Sequence, residues 1–490
     1  MNILKQLIRI NQTLDTPVYL QIANAFVQSI RSGRLRKGLK LPGSREVAAL
    51  LNINRMTMVA AYNELEAQGW IEMVARKGTF ITRDLPELHP KKIQPNTRAF
   101  SIPENTSFSI DEKRIVPIES SDFPKSGLLI INDGFPDTRL APIEALNRCM
   151  RSQSKLATHQ KYLMYGGASG THFFRETLAN FLRDTRGLPI SKDNILSTRG
   201  AQMGIYLACR VITKPGDTVL VGEPGYQGAN LTFQQLGLTL DKVPVDDNGL
   251  IIDQVEKICR KKKIKFVYVI PHHHHPTTVT LSPERRIRLL ELAVKFKFAI
   301  IEDDYDYDFH YASKPLMPMA SLDRHGCVIY IGTLTKTLAP SVRIGFMVAP
   351  QKFIRFATYI RKAVDTQGDS LLENAIAALY QDGVIRRHIR KSVKIYKDRR
   401  DHFCQLLRSE LGNTITFATP DGGMSVWATF PGINMKEIAA KALTKGLVIS
   451  NGREYNTLNR TYNSIRMGFA ALDPDEQIRS VKILKSLMCR

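Results

Sequence analysis

The segment GTLTKTLAPSVRIG, residues 332–345, carries the most information about the larger part of this chain. It follows an apolar run from Val328 to Ile331 that predicts a buried strand, and Lys336 stands just beyond that strand. Ligands of open α/β sheets bind at the carboxyl ends of the strands. A lysine held there in a partly dry site, near other cations, can form a Schiff base with an aldehyde cofactor. Taken alone, a loop lysine is more often a solvated surface residue.

Apolar runs on both sides of this segment alternate with helical stretches from Leu128 onward. Such alternation predicts an α/β domain with a mainly parallel sheet. The runs are ILST (195–198), DTVLVGE (217–223), KFVYVI (265–270), FAIIEDD (298–304), CVIYIGT (327–333) and VRIGFMVA (342–349).

Three side chains near these strand ends suit a flat, protonated ring. Asp303 could pair with a pyridine nitrogen, Tyr305 could hydrogen-bond a ring hydroxyl, and Tyr226 in GEPGYQG could stack on the ring. Each residue also has a plainer explanation. Strand-end acidic residues cap turns, and a turn tyrosine packs on its own loop.

Other groups at the strand ends suit a phosphate. Gly200 and Ala201 open a helix and offer backbone N–H groups, although such a turn is common. Thr333, Thr335 and Arg343 add hydroxyls and a guanidinium fork. Together with the lysine, these groups favour a site for a phosphorylated cofactor.

The N-terminal residues predict three helices and a hairpin. One amphipathic helix runs from Val18 to Ile30, and two short helices surround a tight turn in LKLPGSREVAALLNINRMTMVAAYNELEAQGWIE (39–72). This is a helix-turn-helix pattern, followed by a hairpin from Trp70 to Ile81 with a wing at residues 76–78. A small helical interaction module with a basic face is the alternative. The residues placed to meet bases and phosphates are Ser44, Arg45, Asn54, Arg55 and Thr57.

Composition favours an acidic partner. The 490 residues carry a net charge of +23, and residues 1–83 contribute 12 Lys/Arg against 5 Asp/Glu, which suits DNA binding.

The six cysteines show no metal-ligand spacing, and no run of 18 apolar residues occurs, so we expect a cytoplasmic protein without a membrane partner. Recurrent prolines predict a linker. The predicted domains are residues 1–83, linker 84–125 and residues 126–490.

The N-terminal runs PVYLQIA, LPGSREVAALL, NRMTMVAAYNELEAQGWI and KGTFI resemble the GntR-family winged helix along almost its full length. This resemblance implies binding to double-stranded operator DNA. The implied DNA contacts are Ser44, Arg45, Arg55, Thr57, Lys77 and Gly78.

The rest of the chain resembles the fold-type I aminotransferases, and the whole order resembles the MocR/GabR-type subgroup of GntR regulators. The motifs are GFPDTRLAP, LMYGGASG, STRGAQMGIYL, GEPGY, HHPTTVTLSPERR, IEDDYDYDF, GTLTKTLAPSVRIG and SIRMGFA. The resemblance implies a large pyridoxal 5'-phosphate (PLP) domain with a smaller C-terminal α+β subdomain. It implies a homodimer too.

The resemblance also assigns roles by position. Lys336 becomes the Schiff-base lysine, Asp303 the pyridinium partner and Tyr305 the ring-hydroxyl partner. Tyr226 becomes the stacking ring, and Arg466 binds an effector carboxylate. The phosphate and neighbouring cofactor contacts are Gly200, Ala201, Gln202, Thr333, Thr335 and Arg343, with Tyr165 reaching the phosphate of the neighbouring subunit.

Two departures from the family pattern occur. Where Asn or Gln usually lies near the ring hydroxyl, PHHHHPT is expected to place His274, and Leu334-Thr335 stands where Phe-Ser is commoner. The run His272–His275 could form a metal site or a tag, but a loop beside the cofactor is the simpler interpretation, and we predict no metal.

Three functions fit these residues. The first is a PLP-dependent transcription regulator that senses an amino-acid-like or amine effector. The second is a working aminotransferase with a DNA-binding domain. The third is a cofactor-free dimerisation scaffold, which the intact Lys336, Asp303 and Arg343 disfavour.

Overall fold

A computed structural model describes residues 4, 7–8, 10–11, 16–75, 77–85, 105–111, 115, 127–155, 162–311, 316–456 and 461–488. The chain divides into two compact units, Met1–Ser109 and Ile110–Arg490. Most of the predicted linker lies outside the described residues, so the three domain bounds stay predictions. The structure contains no helix, among the residues it describes, that is long and apolar enough to cross a membrane.

The first unit is a winged helix-turn-helix. Its three strands form an antiparallel sheet in the order β1-β3-β2. Asn52 adopts a left-handed conformation with φ 52° at the turn between the second and third helices, which lets the chain reverse direction sharply. The elements are α1 (Val18–Arg31), β1 (Lys40–Leu41), α2 (Ser44–Leu51), α3 (Arg55–Ala67), β2 (Ile71–Val74) and β3 (Gly78–Ile81).

The apolar stripes predicted for these helices form the core of the first unit. Phe26 of α1 packs edge-on against Tyr62 of α3, with ring centroids 6.0 Å apart. The Tyr62 hydroxyl donates to the Pro42 carbonyl at 2.8 Å, so its buried polar atom is paired. Met58 and Leu65, on the same face of α3, are fully buried. This packing fixes the exposed face of α3.

The second unit contains an eight-stranded sheet in the order β5-β12-β11-β10-β9-β6-β7-β8. The five strands from β11 to β7 are parallel, whereas β12 and β8 run antiparallel to their neighbours. The predicted α/β sheet is therefore confirmed. The strands are β5 (Ile195–Thr198), β6 (Thr218–Glu223), β7 (Thr239–Asp246), β8 (Gly249–Leu250), β9 (Phe266–Val269), β10 (Ala299–Asp304), β11 (Val328–Thr333) and β12 (Gly345–Val348).

Helices cover this sheet. Strands such as β9 and β11 are therefore buried along nearly their whole length, and their sequences are continuous apolar runs. The helices are α4 (Ile143–Lys155), α5 (His172–Arg186), α6 (Ala201–Ile212), α7 (Gln227–Gln235), α8 (Ile252–Lys261), α9 (Pro283–Phe296), α10 (Met319–Leu322), α11 (Gln351–Asp365) and α12 (Ser370–Gln381).

A smaller α+β part completes the second unit and has its own apolar cluster, which includes the buried Phe403, Val426 and Phe469. Two short strand pairs form there, one antiparallel (β13 with β15) and one parallel (β14 with β4). The five cysteines within the described residues are free thiols. The elements are β4 (Leu129–Ile131), α13 (Val384–Leu411), β13 (Ser425–Thr429), α14 (Met435–Thr444), β14 (Leu447–Ile449), β15 (Ser464–Gly468) and α15 (Pro474–Met488).

Candidate functional site

A cavity of about 730 Å³ opens at the carboxyl ends of β10 and β11. This is the edge of the sheet where the sequence predicted a ligand. The cavity brings together ten of the residues predicted for the cofactor and effector: Ala201, Gln202, Tyr226, Asp303, Tyr305, Thr333, Thr335, Lys336, Arg343 and Arg466.

Lys336 reaches this cavity because its neighbours anchor the loop after β11. Leu334 and Leu338 are buried in the apolar core, so the lysine between them turns toward the cavity. Its Nζ donates to the Gly134 carbonyl at 2.7 Å. Burial, with the charge of Arg466, lowers the pKa of Lys336 to about 8. About a tenth of the amine is therefore neutral and nucleophilic at pH 7, compared with less than a thousandth for an ordinary lysine.

Asp303 has one paired and one unpaired carboxylate oxygen. Its Oδ2 accepts a hydrogen bond from the Tyr268 hydroxyl at 2.6 Å, while the buried Oδ1 has no partner among the described residues. Burial raises the pKa of this carboxyl to about 7. A buried acceptor without a donor is costly, so this oxygen fits a donor carried by a ligand, such as a protonated ring nitrogen.

The N-terminus of α6 and Arg343 form a cradle suited to a phosphate. Gly200 precedes the helix with φ 80°, and a Cβ there would come within 2.8 Å of Arg343 Nη2. Only glycine permits both the backbone conformation and this approach. Arg343 Nη2 also donates to the Arg199 carbonyl at 3.0 Å, and the Thr333 and Thr335 hydroxyls lie 2.9 Å apart. Ala201, Thr333, Thr335 and Arg343 all line the cavity, so their donors are available to a phosphate bound there.

The predicted aromatic residues differ in their placement. Tyr226 lines the cavity with its ring against His275, centroids 5.0 Å apart, and burial raises its pKa to about 12. The Tyr305 hydroxyl donates to the His273 carbonyl at 3.1 Å. Tyr165 is 85% exposed and does not line this cavity. Its contact with a neighbouring subunit stays a prediction.

The sequence analysis placed His274 beside the ring hydroxyl, but in the structure it is His275, the next residue, that lines the cavity. The His274 ring instead turns back within its own loop, where Nδ1 pairs with Thr277 Oγ1 at 2.9 Å. Burial there lowers the pKa of His274 to about 3. His275 Nε2 pairs with Asp133 Oδ2 at 2.8 Å, which holds its ring at the cavity wall.

The other two histidines of the run face buried acids beneath the cavity. His272 Nδ1 pairs with Asp304 Oδ1 at 3.0 Å, and His273 Nδ1 pairs with Asp306 Oδ1 at 2.8 Å. The four imidazoles thus have four different partners. Within the described part of the chain, no group of three or more His, Cys, Asp or Glu side chains is arranged to hold a metal ion.

Asp133 is a site residue that the sequence analysis missed. Its Oδ1 lies 2.8 Å from Arg466 Nε, and the Tyr455 hydroxyl donates to the same oxygen at 3.1 Å. Burial would raise the pKa of Asp133, but His275 and Arg466 outweigh it and lower the pKa. Asp133 directly precedes the motif GFPDTRLAP, which begins at Gly134, so a motif longer by one residue would have included it.

The residues predicted for DNA lie at the N-terminus of α3 and at the hairpin of the first unit. Asn54 caps α3, since its side chain accepts from the Met56 N–H at 2.8 Å. Arg45 and Arg55 are exposed and form no ion pair within the described residues, and Thr57 is half-buried on the first turn of α3. Ser44 begins α2, and Lys77 with Gly78 is exposed at the hairpin turn, whereas Arg76 lies outside the described residues.

The fold and cavity define the class of protein: a winged helix-turn-helix unit joined to a fold-type I domain. Residues 18–81 match the model of bacterial regulatory proteins of the gntR family, and residues 134–483 match aminotransferase class I and II. The chain belongs to the aminotransferase class I and II family, with a GntR-type N-terminal unit in the MocR-type arrangement. Domains of this family bind PLP, and the unpaired Asp303 oxygen fits that cofactor.

Individual relatives cover both parts of the chain. The probable rhizopine catabolism regulatory protein MocR of Rhizobium meliloti is 25% identical over 97% of this chain and 95% of its own length. Aromatic-amino-acid aminotransferase 1 of Thermococcus litoralis is 33% identical over 74% of this chain and 87% of its own. A crystal structure of Pyrococcus horikoshii kynurenine aminotransferase superposes with a TM-score of 0.69 and 30% identity, covering 74% of this chain and 91% of that one.

Proposed function

We propose that this chain is a PLP-dependent transcription regulator that binds operator DNA and senses an amino-acid-like or amine effector through its cofactor. One observation carries the proposal. The chain that carries a GntR-type winged helix also holds Lys336 and a buried, half-unpaired Asp303 in a single cavity. A scaffold without a cofactor would have no use for a buried carboxylate oxygen that lacks a donor.

Different residues of the cavity would contact different parts of the cofactor. PLP, when bound, supplies an aldehyde that amines join reversibly and a ring that withdraws electrons. Lys336 would offer the amine, and Asp303 Oδ1 would accept a hydrogen bond from the protonated ring nitrogen. Tyr226 would stack on the ring, and His275 would take the place near the ring hydroxyl. The residues that would hold the phosphate are Gly200, Ala201, Gln202, Thr333, Thr335 and Arg343.

The first unit supplies the DNA contacts. The first turn of α3 enters the major groove in a helix-turn-helix, so Asn54, Arg55 and Thr57 meet bases and nearby phosphates. Arg45 at the start of α2 and Lys77 in the wing lie beside the DNA backbone. Their contacts with phosphates release counterions, and this release adds to the affinity. These roles suit the exposure of both cations.

Sensing requires that the effector bind two conformations with different affinity. An effector amine that took the place of the Lys336 amine on the cofactor aldehyde would set the lysine amine free, and the contacts in the cavity would then change. A homodimer would bring a second winged helix and the partner's Tyr165 into the assembly, and the exposed Leu163 and Met164 beside Tyr165 suit such an interface.

A working aminotransferase is the second candidate, since Lys336, Asp303 and Arg466 all line one cavity. Turnover separates the two functions. Many cycles of amino transfer between an amino acid and a keto acid, without selective DNA binding, would overturn the regulator proposal.

The test is an anisotropy titration of a labelled duplex carrying the DNA upstream of the gene. The PLP-loaded protein should bind it selectively. Arg45→Ala should reduce the salt slope by about 1. Lys257→Ala is the matched control, an exposed cation of the second unit, and should leave binding unchanged. An added amine should change the DNA affinity of the wild type but not of Lys336→Ala. Equal binding of unrelated duplexes would contradict the proposal.

A further inference from the structure

Asp133 already fills the place where Arg466 would be expected to hold a ligand's carboxylate. Arg466 is buried on β15, and its Nε lies 2.8 Å from Asp133 Oδ1. The opposite oxygen, Oδ2, is held by His275 Nε2 at 2.8 Å, and the Tyr455 hydroxyl donates to Oδ1 at 3.1 Å. Three side chains, two of them from the C-terminal part and one from the histidine loop, therefore fix one carboxylate in one orientation.

Two of the three nitrogen atoms of the Arg466 guanidinium, Nε and Nη1, already have acceptors in the protein. Its Nε is also near the Asp133 carbonyl at 3.3 Å, and Nη1 donates to the Pro276 carbonyl at 3.2 Å. The Tyr305 hydroxyl interacts with the same guanidinium. A bidentate fork on a ligand carboxylate needs two free, parallel N–H groups, and the Nε edge of the fork is occupied.

Asp133 itself faces the cavity. Its side chain is 43% exposed and lines the same cavity as Lys336. A ligand whose amine reaches Lys336 would place an α-carboxylate close to the Asp133 carboxylate. Arg466 is then neutralised already, so the second negative charge would have no free partner. Like charges brought together in this way oppose binding strongly.

We infer that Asp133 is a specificity-determining residue that makes this cavity select primary amines without an α-carboxylate over the corresponding amino acids. The inference rests on the proposed function, and it narrows the effector to that class. It also explains why the carboxylate-binding arginine is retained: Arg466 holds Asp133 in place rather than a ligand.

The experiment uses the full-length PLP-loaded protein and follows the visible absorbance of the bound cofactor. Each pair of probes differs only in the carboxylate: L-lysine with cadaverine, L-leucine with 3-methylbutylamine, and L-phenylalanine with phenethylamine. The wild type should bind each amine at least about tenfold more tightly than its amino acid. Asp133→Asn removes the charge at constant size and should abolish or reverse this preference.

Asp247→Asn is the matched control, because it makes the same change at an exposed aspartate that does not line the cavity, and its preference should equal that of the wild type. If Asp133→Asn loads PLP poorly, Asp133→Ala offers a second measurement. Acetate should raise its melting temperature more than that of the wild type, since acetate can refill the space beside Arg466.

The possible results distinguish a failure of the Asp133 inference from a failure of the proposed function. Wild-type protein that binds amino acids as tightly as the amines, or an unchanged preference in Asp133→Asn, overturns the inference and leaves the cofactor proposal standing. Wild-type protein that never acquires visible absorbance with PLP overturns the proposed function itself.

Discussion

Replacing Asp303 by Asn should affect the cofactor-free and the cofactor-loaded protein in opposite ways. Burial raises the pKa of this carboxyl from its ordinary 3.8 to about 7. Between these two values the folded domain keeps a proton that the unfolded chain has released. The free energy of unfolding therefore falls by about 1.4 kcal/mol for each pH unit as the pH rises through this window.

The magnitude follows directly. From pH 5 to pH 8 the wild-type domain should lose about 3 kcal/mol of stability through Asp303, most of it below pH 7. An amide at position 303 does not titrate, so Asp303→Asn should lack this loss. The variant should therefore gain about 3 kcal/mol relative to the wild type between pH 5 and pH 8.

The assay is urea unfolding of the cofactor-free protein at pH 5 and pH 8. The chain has two tryptophans, Trp70 in the first unit and Trp427 in the second, so a Trp70→Phe background reports the second unit alone. Asp247→Asn, an exposed aspartate of that unit, serves as the control and should keep the wild-type pH dependence.

The affinity of Asp303→Asn for the cofactor should fall, in contrast to the stability of the cofactor-free variant. An amide cannot balance the charge of a protonated ring nitrogen, and the loss of one partner of a buried charged pair costs at least about 2 kcal/mol, or roughly thirtyfold in PLP affinity. The reasoning fails if Asp303→Asn retains the wild-type loss of stability between pH 5 and pH 8, or if it binds PLP as tightly as the wild type does.

Three further variants test the phosphate cradle, the cap of α3 and the hydrogen-bond partner of Asp303. Gly200→Ala should weaken PLP at least about tenfold in a spectral titration, because the added Cβ would meet Arg343 Nη2 at 2.8 Å in a conformation that favours glycine. Asn54→Ala removes the cap of α3 and should destabilise the first unit by about 1 kcal/mol in thermal unfolding. Tyr268→Phe deletes a hydrogen bond that lowers the pKa of Asp303, so the apparent pKa for PLP binding should rise.

Much of the fold could be predicted from the sequence, because local rules determine it. The apolar run before Lys336 forms β11, and the alternation around it forms the sheet that the structure contains. The amphipathic helix predicted from Val18 to Ile30 is α1, and its buried residues include Ile22, Phe26 and Ile30.

The finer geometry of the cavity could not be predicted in this way. Four consecutive histidines give no sign of which ring turns toward a ligand, and contacts with Thr277 and Asp133 make that decision. The Asp133–Arg466 pair joins residues 333 positions apart, so no local pattern reveals it. The pair forms where the end of β15 meets the chain just after β4, since the Gly468 N–H donates to the Asn132 carbonyl at 2.8 Å, and this contact exists only in the folded chain.

The most direct measurement is borohydride reduction of the PLP-loaded protein, followed by peptide mass mapping. The account predicts a pyridoxyl group on the peptide that contains Lys336, and none on that peptide in Lys336→Ala. A pyridoxyl group on a different lysine, or on no lysine at all, would contradict it.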